Sequence, residues 1–371
     1  GSASLDSSGT AGPCAKRKAS RLTAAGSRGH TSPMRTLLLG CVLLLACGDD
    51  DGVTDEPLAD AGPTDGGATA TDGGVDAAAA EDAGAVDAAS PDPDLGPAGG
   101  ACGQPVGERD LRVELMHDGR NRSFLVHLPP SYDGTTAFPV VLGFHGRTLN
   151  ATSQESLSHM NEGADAAGFI SVHPEGIGAT WNAGSCCDPA STQRLDDVGF
   201  VSAILDRLEA GWCVDADRVH ATGLSNGGML SHRLACELSD RIASIAPVAG
   251  TMGIPSCSPS RAVPVIHFHG TSDNLVPYNG GFAGIDSVPD TMADWVERNG
   301  CGETSAVTYE NGDVTCEEWT GCTDGATVRL CTVDGGGHQW PGGDSLPFLG
   351  HKTDDISATA AALEFFAAHP R

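Results

Sequence analysis

The stretch Gly223-Leu224-Ser225-Asn226-Gly227 fits a G-x-S-x-G pattern between an apolar run at 218–222 and a helical pattern at 226–238. A serine on a strained strand-to-helix turn projects its hydroxyl, and flanking glycines let the neighbouring backbone approach. The helix N-terminus adds partial positive charge where an oxyanion would develop. Serine is a weak nucleophile until a histidine takes its proton, and that histidine needs an acid to fix its tautomer. The order Ser, acid, His accompanies this kind of turn.

Downstream, the apolar run 263–269 leads into Gly270-Thr271-Ser272-Asp273, which puts Asp273 in a loop beyond a strand end. Catalytic groups gather at such ends in open parallel sheets. A second strand pattern, 327–333, runs into Asp334-Gly335-Gly336-Gly337-His338. A histidine beyond three glycines is poorly placed for core packing, so His338 is the expected base and Asp273 the expected acid. Asp334, four residues before the histidine, is the competing acid and is disfavoured by order and spacing. The strand pattern 138–144 ends in His145-Gly146-Arg147. The backbone N–H of Arg147 is the expected partner of the Asn226 N–H in an oxyanion hole. His145, His267 and His269 are read as structural.

The intervening patterns must position these groups. Residues 111–116 and 123–128 alternate like antiparallel strands. The continuous apolar run 138–144 suits a strand buried on both faces. Helical patterns are expected at 153–167, 196–212, 226–238, 292–298 and 356–368, with further strands at 168–173, 218–222, 242–248 and 263–269. A hairpin is expected from 314–319 and 327–333. Strands alternating with helices imply an α/β fold, one mostly parallel sheet covered by helices on both faces. A single domain over 101–371 suffices.

The 371 residues carry a net charge of −28, spread unevenly. Residues 1–47 hold six Lys/Arg against one acid, and 48–100 hold fourteen acids and no Lys or Arg. Such a field repels phosphates, so nucleic acid is an unsuitable partner. The Asp/Ala/Gly/Pro/Thr-rich segment 48–100 contains no aromatic residue and reads as a disordered acidic tether. A calcium site there would need a ligand-spaced loop, which the segment does not show. The short positive start at Met34-Arg35 and the apolar run 37–46 suit a signal peptide. The run ends Leu44-Leu45-Ala46-Cys47, like a lipobox with Cys47 as the lipidated residue. Residues 1–33 precede the plausible start Met34 and are read as upstream or appended. Membrane association is expected only through that anchor, on an exported monomer.

Ten of the thirteen cysteines lie from Cys102 onward, with no C-x-x-C pair, which argues for disulfides in an oxidising compartment. If 314–319 and 327–333 pair with Trp319 opposite Val328, Cys316 faces Cys331 within disulfide reach. Cys301 is then left to meet Cys322. A one-residue slip would instead pair Cys301 with Cys316 or Cys331.

Several segments resemble the extracellular polyhydroxybutyrate depolymerase and feruloyl-esterase-like α/β-hydrolases, including the actinobacterial LpqC-type lipoproteins. The matching segments are His145-Gly146, His173-Pro174-Glu175-Gly176, Trp181-Asn182-Ala183-Gly184-Ser185-Cys186-Cys187, Asp196-Asp197-Val198-Gly199-Phe200, 221–229, 269–278 and 336–343. The resemblance spans nearly all of 101–371. It implies an α/β-hydrolase that cleaves carboxylic esters, with Ser225, Asp273 and His338 on the family's triad positions. Arg147 departs from it, since many depolymerase members carry Cys there, which leaves aryl esters as open as polyesters. Trp340, Trp181 and Tyr278 are the expected pocket residues, with core packing the alternative role for either tryptophan. In the implied mechanism His338 deprotonates Ser225, an acyl-enzyme forms, and water releases it, with no metal or organic cofactor. A serine peptidase of the same fold and a catalytically dead surface binding lipoprotein are the rival readings.

Overall fold

The computed structural model describes residues 101–281 and 284–371. The expectations for Met34, Cys47 and the 48–100 tether lie outside the described residues. Chain entry into the sheet is a hairpin, β1 (Asp110–His117) and β2 (Arg120–His127), turning through Asp118-Gly119. Both turn residues have positive φ, 49° and 68°. That geometry matches the twist of antiparallel strands and suits Asp-Gly.

A ten-stranded sheet follows, in the order β1-β2-β4-β3-β5-β6-β7-β10-β9-β8. Its centre is β4 (Ile170–Pro174), β3 (Phe138–Phe144), β5 (Val214–Leu224), β6 (Ser244–Val248), β7 (Val265–Gly270) and β10 (Val328–Val333), paired in parallel. β9 (Val314–Trp319) and β8 (Ala306–Asn311) extend one edge antiparallel, as β1 and β2 do the other. Buried side chains alternate between the two faces. Val140 and Leu142 of β3 join a core with Met229, Leu234 and Trp295, while Val141 joins one with Met160, Leu363 and Phe366. The first core draws on α3 (Asp197–Gly211), α4 (Asn226–Glu237) and α5 (Val288–Arg298). The second draws on α1 (Ala151–Ser158), α2 (Met160–Ala167) and α6 (Ala358–Ala368). This is the α/β-hydrolase architecture expected from the sequence.

Three details differ from expectation. The helix expected at 153–167 is two helices, broken at His159, whose φ is 52°. β8 was not anticipated. Its six residues are all exposed, so its short Val307-Thr308-Tyr309-Glu310 alternation faces no core, and Asn311-Gly312 marks its turn into β9. The C-terminal hairpin is not separate, because β10 pairs in parallel with β7 and so carries its far end to the chain beyond β7.

Among the described residues, five disulfides brace the fold: Cys102–Cys213, Cys186–Cys187, Cys236–Cys257, Cys301–Cys322 and Cys316–Cys331. The last two are the pairings expected from the Trp319–Val328 register, which is the one observed.

Candidate active site

β5 ends at Leu224 and α4 begins at Asn226, so Ser225 alone makes the turn. It adopts φ 56° and ψ −118°, a conformation costly for a residue with a Cβ and persistent only when its surroundings over-determine it. They do. The Ser225 N–H donates to Val248 O at 2.8 Å, and its carbonyl accepts from Met229 N at 2.9 Å. Glycine at 227 is required because a Cβ there would collide with the Phe144 carbonyl. As the first residue of α4, Asn226 has a backbone N–H with no intrahelical acceptor, directly beside the serine.

Asp273 lies three residues beyond β7. Its Oδ1 accepts the Leu275 and Val276 N–H groups, each at 2.8 Å, and its Oδ2 accepts His338 Nδ1–H at 2.6 Å. Burial pushes this carboxyl's pKa up, but the His338 hydrogen bond and charge, with the Val276 amide, hold it below the usual carboxylate value. The geometry fixes the His338 tautomer, leaving Nε2 as the ring's proton acceptor. Asp334, the competing acid, is exposed and accepts the Thr271 hydroxyl instead.

His338 is held from the chain that follows it. Its N–H donates to Leu349 O at 2.7 Å, and the Gly337 N–H donates to His351 O at 2.8 Å. A Cβ at Gly337 would strike the Leu349 carbonyl, so the glycine lets the two segments touch. Gln339 completes the brace: its amide donates to Leu346 O and Gly350 O and accepts the Leu346 N–H. Sequence reasoning missed Gln339, because nothing at a polar residue after a histidine announces a loop clamp.

Ser225 and His338 line one cavity of about 410 Å³. Gly146, Arg147, Thr148 and Leu149 form part of its wall, with Leu275, Leu346, Leu349 and the Cys186–Cys187 pair. Arg147 thus lies on the wall of the cavity that Ser225 and His338 share. His145 is structural, as expected: its Nδ1 donates to Gly146 O and its Nε2 accepts the Gly176 N–H, and burial lowers its pKa. His267 and His269 are also buried, with His269 Nε2 donating to Val276 O at 2.8 Å.

The three expected pocket aromatics are not on this cavity's wall, and that expectation is corrected. Trp181 is fully buried, its indole N–H donating to His145 O and its backbone paired to the Asn226 side chain. Trp340 is fully buried, its indole N–H donating to Thr359 Oγ1 at 3.0 Å. Tyr278 faces a different cavity, of about 530 Å³, with Met292, Val296, Trp319 and Leu330. Closeness in sequence to a triad position does not set a side chain's direction. The apolar side chains that do line the site are leucines and a disulfide, of which Leu275, two residues after Asp273, and the Cys-Cys pair were visible in the motifs.

No family model matches this chain. It is 34% identical over 236 residues to feruloyl esterase B of Piromyces equi, a match covering 58% of this chain but only 42% of that protein. The chain thus spans less than half of that relative's length. It is 31% identical over 282 residues to NocK of Nocardia uniformis subsp. tsuyamanensis, provisionally named an esterase, covering 68% of this chain and 81% of that one. Among solved structures, an acetyl xylan esterase from Aspergillus awamori superposes with TM-score 0.52 at 14% identity, covering 70% of this chain and 98% of that one, a likeness of fold.

Proposed function

Because the chain belongs to the feruloyl/acetylxylan-esterase-like family of α/β-hydrolase serine esterases, we propose that it cleaves carboxylic esters through an acyl-Ser225 intermediate and prefers aryl acids of the feruloyl kind. The observation that carries this reading is the 2.6 Å Asp273–His338 hydrogen bond at the cavity that Ser225 shares. His338 Nε2 takes the Ser225 proton as Oγ attacks the ester carbonyl. Asp273, ionised and held by two amides, stabilises the imidazolium that forms. The Asn226 and Arg147 N–H groups receive the oxyanion, with the α4 N-terminus behind Asn226. His338 then protonates the leaving alcohol, and the same base activates water to release the acid.

The preference for an aryl acid is supported by the cavity, whose volume falls in the range of small-molecule sites and whose walls are mostly apolar. An acetyl group would fill little of it. Polyhydroxyalkanoate-type polyesters are the second substrate class. Phe348, between the lining residues Leu346 and Leu349, is fully exposed, and Leu275 is half exposed, so apolar groups stand where a polymer would lie. Five disulfides support export to an oxidising compartment. The test is a screen of p-nitrophenyl acetate, p-nitrophenyl ferulate, methyl ferulate and polyhydroxybutyrate films. The ferulates should be turned over with the highest kcat/KM. Film clearance without ferulate turnover would overturn the aryl preference, and inactivity on all four would overturn the esterase reading.

A further inference from the structure

The Cys186–Cys187 disulfide stands apart from the other four. Those join segments separated by 111, 21, 21 and 15 residues and so constrain the unfolded chain. A bond between neighbours, at a separation of 1, closes no such loop, so loop-closure entropy does not explain it. Its location suggests another role. Both cysteines line the cavity that holds Ser225 and His338.

The chain leading to this pair is anchored by several hydrogen bonds. The Asn226 side chain accepts the Trp181 N–H at 2.7 Å and donates to the Trp181 carbonyl at 3.0 Å. Asn226 directly follows Ser225, so the segment is registered against the nucleophile itself. One residue on, the Asn182 N–H donates to the buried Asp197 carboxylate at 2.7 Å. Asp197 is in turn paired with buried Arg122 at 2.8 Å. Arg233 donates to Asn182 O, and the Ser185 N–H donates to Gly253 O at 2.8 Å. A surface disulfide of no consequence would not need this many anchors to the nucleophile's own helix and to a buried ion pair.

We infer that the Cys186–Cys187 disulfide is a substrate-contacting surface on which the ring of an aryl acyl group rests, and that it sets the preference for aryl over acetyl esters. The inference rests on the esterase reading above. Two bridged sulfurs carry no S–H and no charge, and they present a polarizable face to the cavity. Sulfur favours contact with aromatic rings. An acetyl group is too short to share that contact, so the disulfide discriminates between acyl groups where the leucines, apolar to both, do so only by volume.

The experiment compares p-nitrophenyl ferulate with p-nitrophenyl acetate, which share a leaving group and differ only in the acyl part. In the folded Cys186→Ser/Cys187→Ser variant, kcat/KM for the ferulate should fall roughly 3- to 10-fold further than for the acetate. The extra loss should lie mainly in KM. Losses in equal proportion, or none, would overturn the inference, since a merely structural bridge would affect both esters alike. Should the variant not fold, mild reduction of the native protein followed by alkylation and peptide mapping makes the same comparison. The ferulate/acetate ratio should then fall in step with opening of the 186–187 bridge, and a ratio unmoved by that opening would overturn the inference. Wild-type protein inactive on both esters would instead refute the esterase reading on which it stands.

Discussion

At Asp273 two oxygens do different work. Oδ1 is fixed by two backbone amides and Oδ2 faces the histidine, so the side chain cannot turn without losing bonds on both sides. Asp273→Asn tests this directly. The amide oxygen would keep the Leu275 and Val276 N–H bonds, turning the NH₂ toward His338 Nδ1. The ring would then carry its proton on Nε2, the wrong atom for accepting one from Ser225. We expect kcat to fall about 10⁴-fold, with KM and the urea unfolding midpoint little changed. A loss below tenfold would remove Asp273 as the acid. The Asp273–His338 pairing and the cavity His338 shares with Ser225 were legible in the sequence because each of the three residues follows the end of a strand pattern. Which role Trp181 and Trp340 take, pocket or core, is not legible, because an indole's direction depends on which carbonyl or hydroxyl its N–H finds.

Register is the property of elements that the sequence conveyed best. Pairing around one turn puts Cys316 opposite Cys331, as observed. The parallel docking of β10 on β7 was hidden because parallel neighbours are joined by crossovers that carry no turn signal. The break at His159 was hidden as well, with neither Gly nor Pro to mark it. β10 delivers His338, and the Cys316–Cys331 bridge ties β10 to β9 across a separation of 15 residues. Cys316→Ser/Cys331→Ser should lower stability by about 3 kcal/mol, measured by urea unfolding. Activity in the variant should be lost at lower urea than the global transition, since the strand that positions the base is loosened first. Coincident loss of activity and fold would contradict this.

Over the whole molecule, neutral histidines fill space between the sheet and its helices. Burial pushes the pKa of His173 and His269 down to about 4 and of His220 and His232 to about 3, and sets His267 well below its ordinary value. The unfolded chain binds these protons below about pH 6.5, while the folded protein refuses them until far lower pH. In that window the unfolded state holds more protons, so stability rises with pH and falls on acidification. Each such histidine contributes up to about 1.4 kcal/mol per pH unit. Urea unfolding should therefore show lower stability at pH 5 than at pH 7, and equal stability would contradict the buried neutral state. The same packing fixes the sheet that brings distant loops together around Ser225 and His338 at one cavity. A fluorophosphonate probe should label the wild-type protein once, on the peptide containing Ser225. Folded Ser225→Ala should take no label and lose about 10⁴-fold or more of kcat/KM on p-nitrophenyl esters. Labelling at another residue, or a folded Ser225→Ala that keeps most of its activity, would contradict Ser225 as the nucleophile.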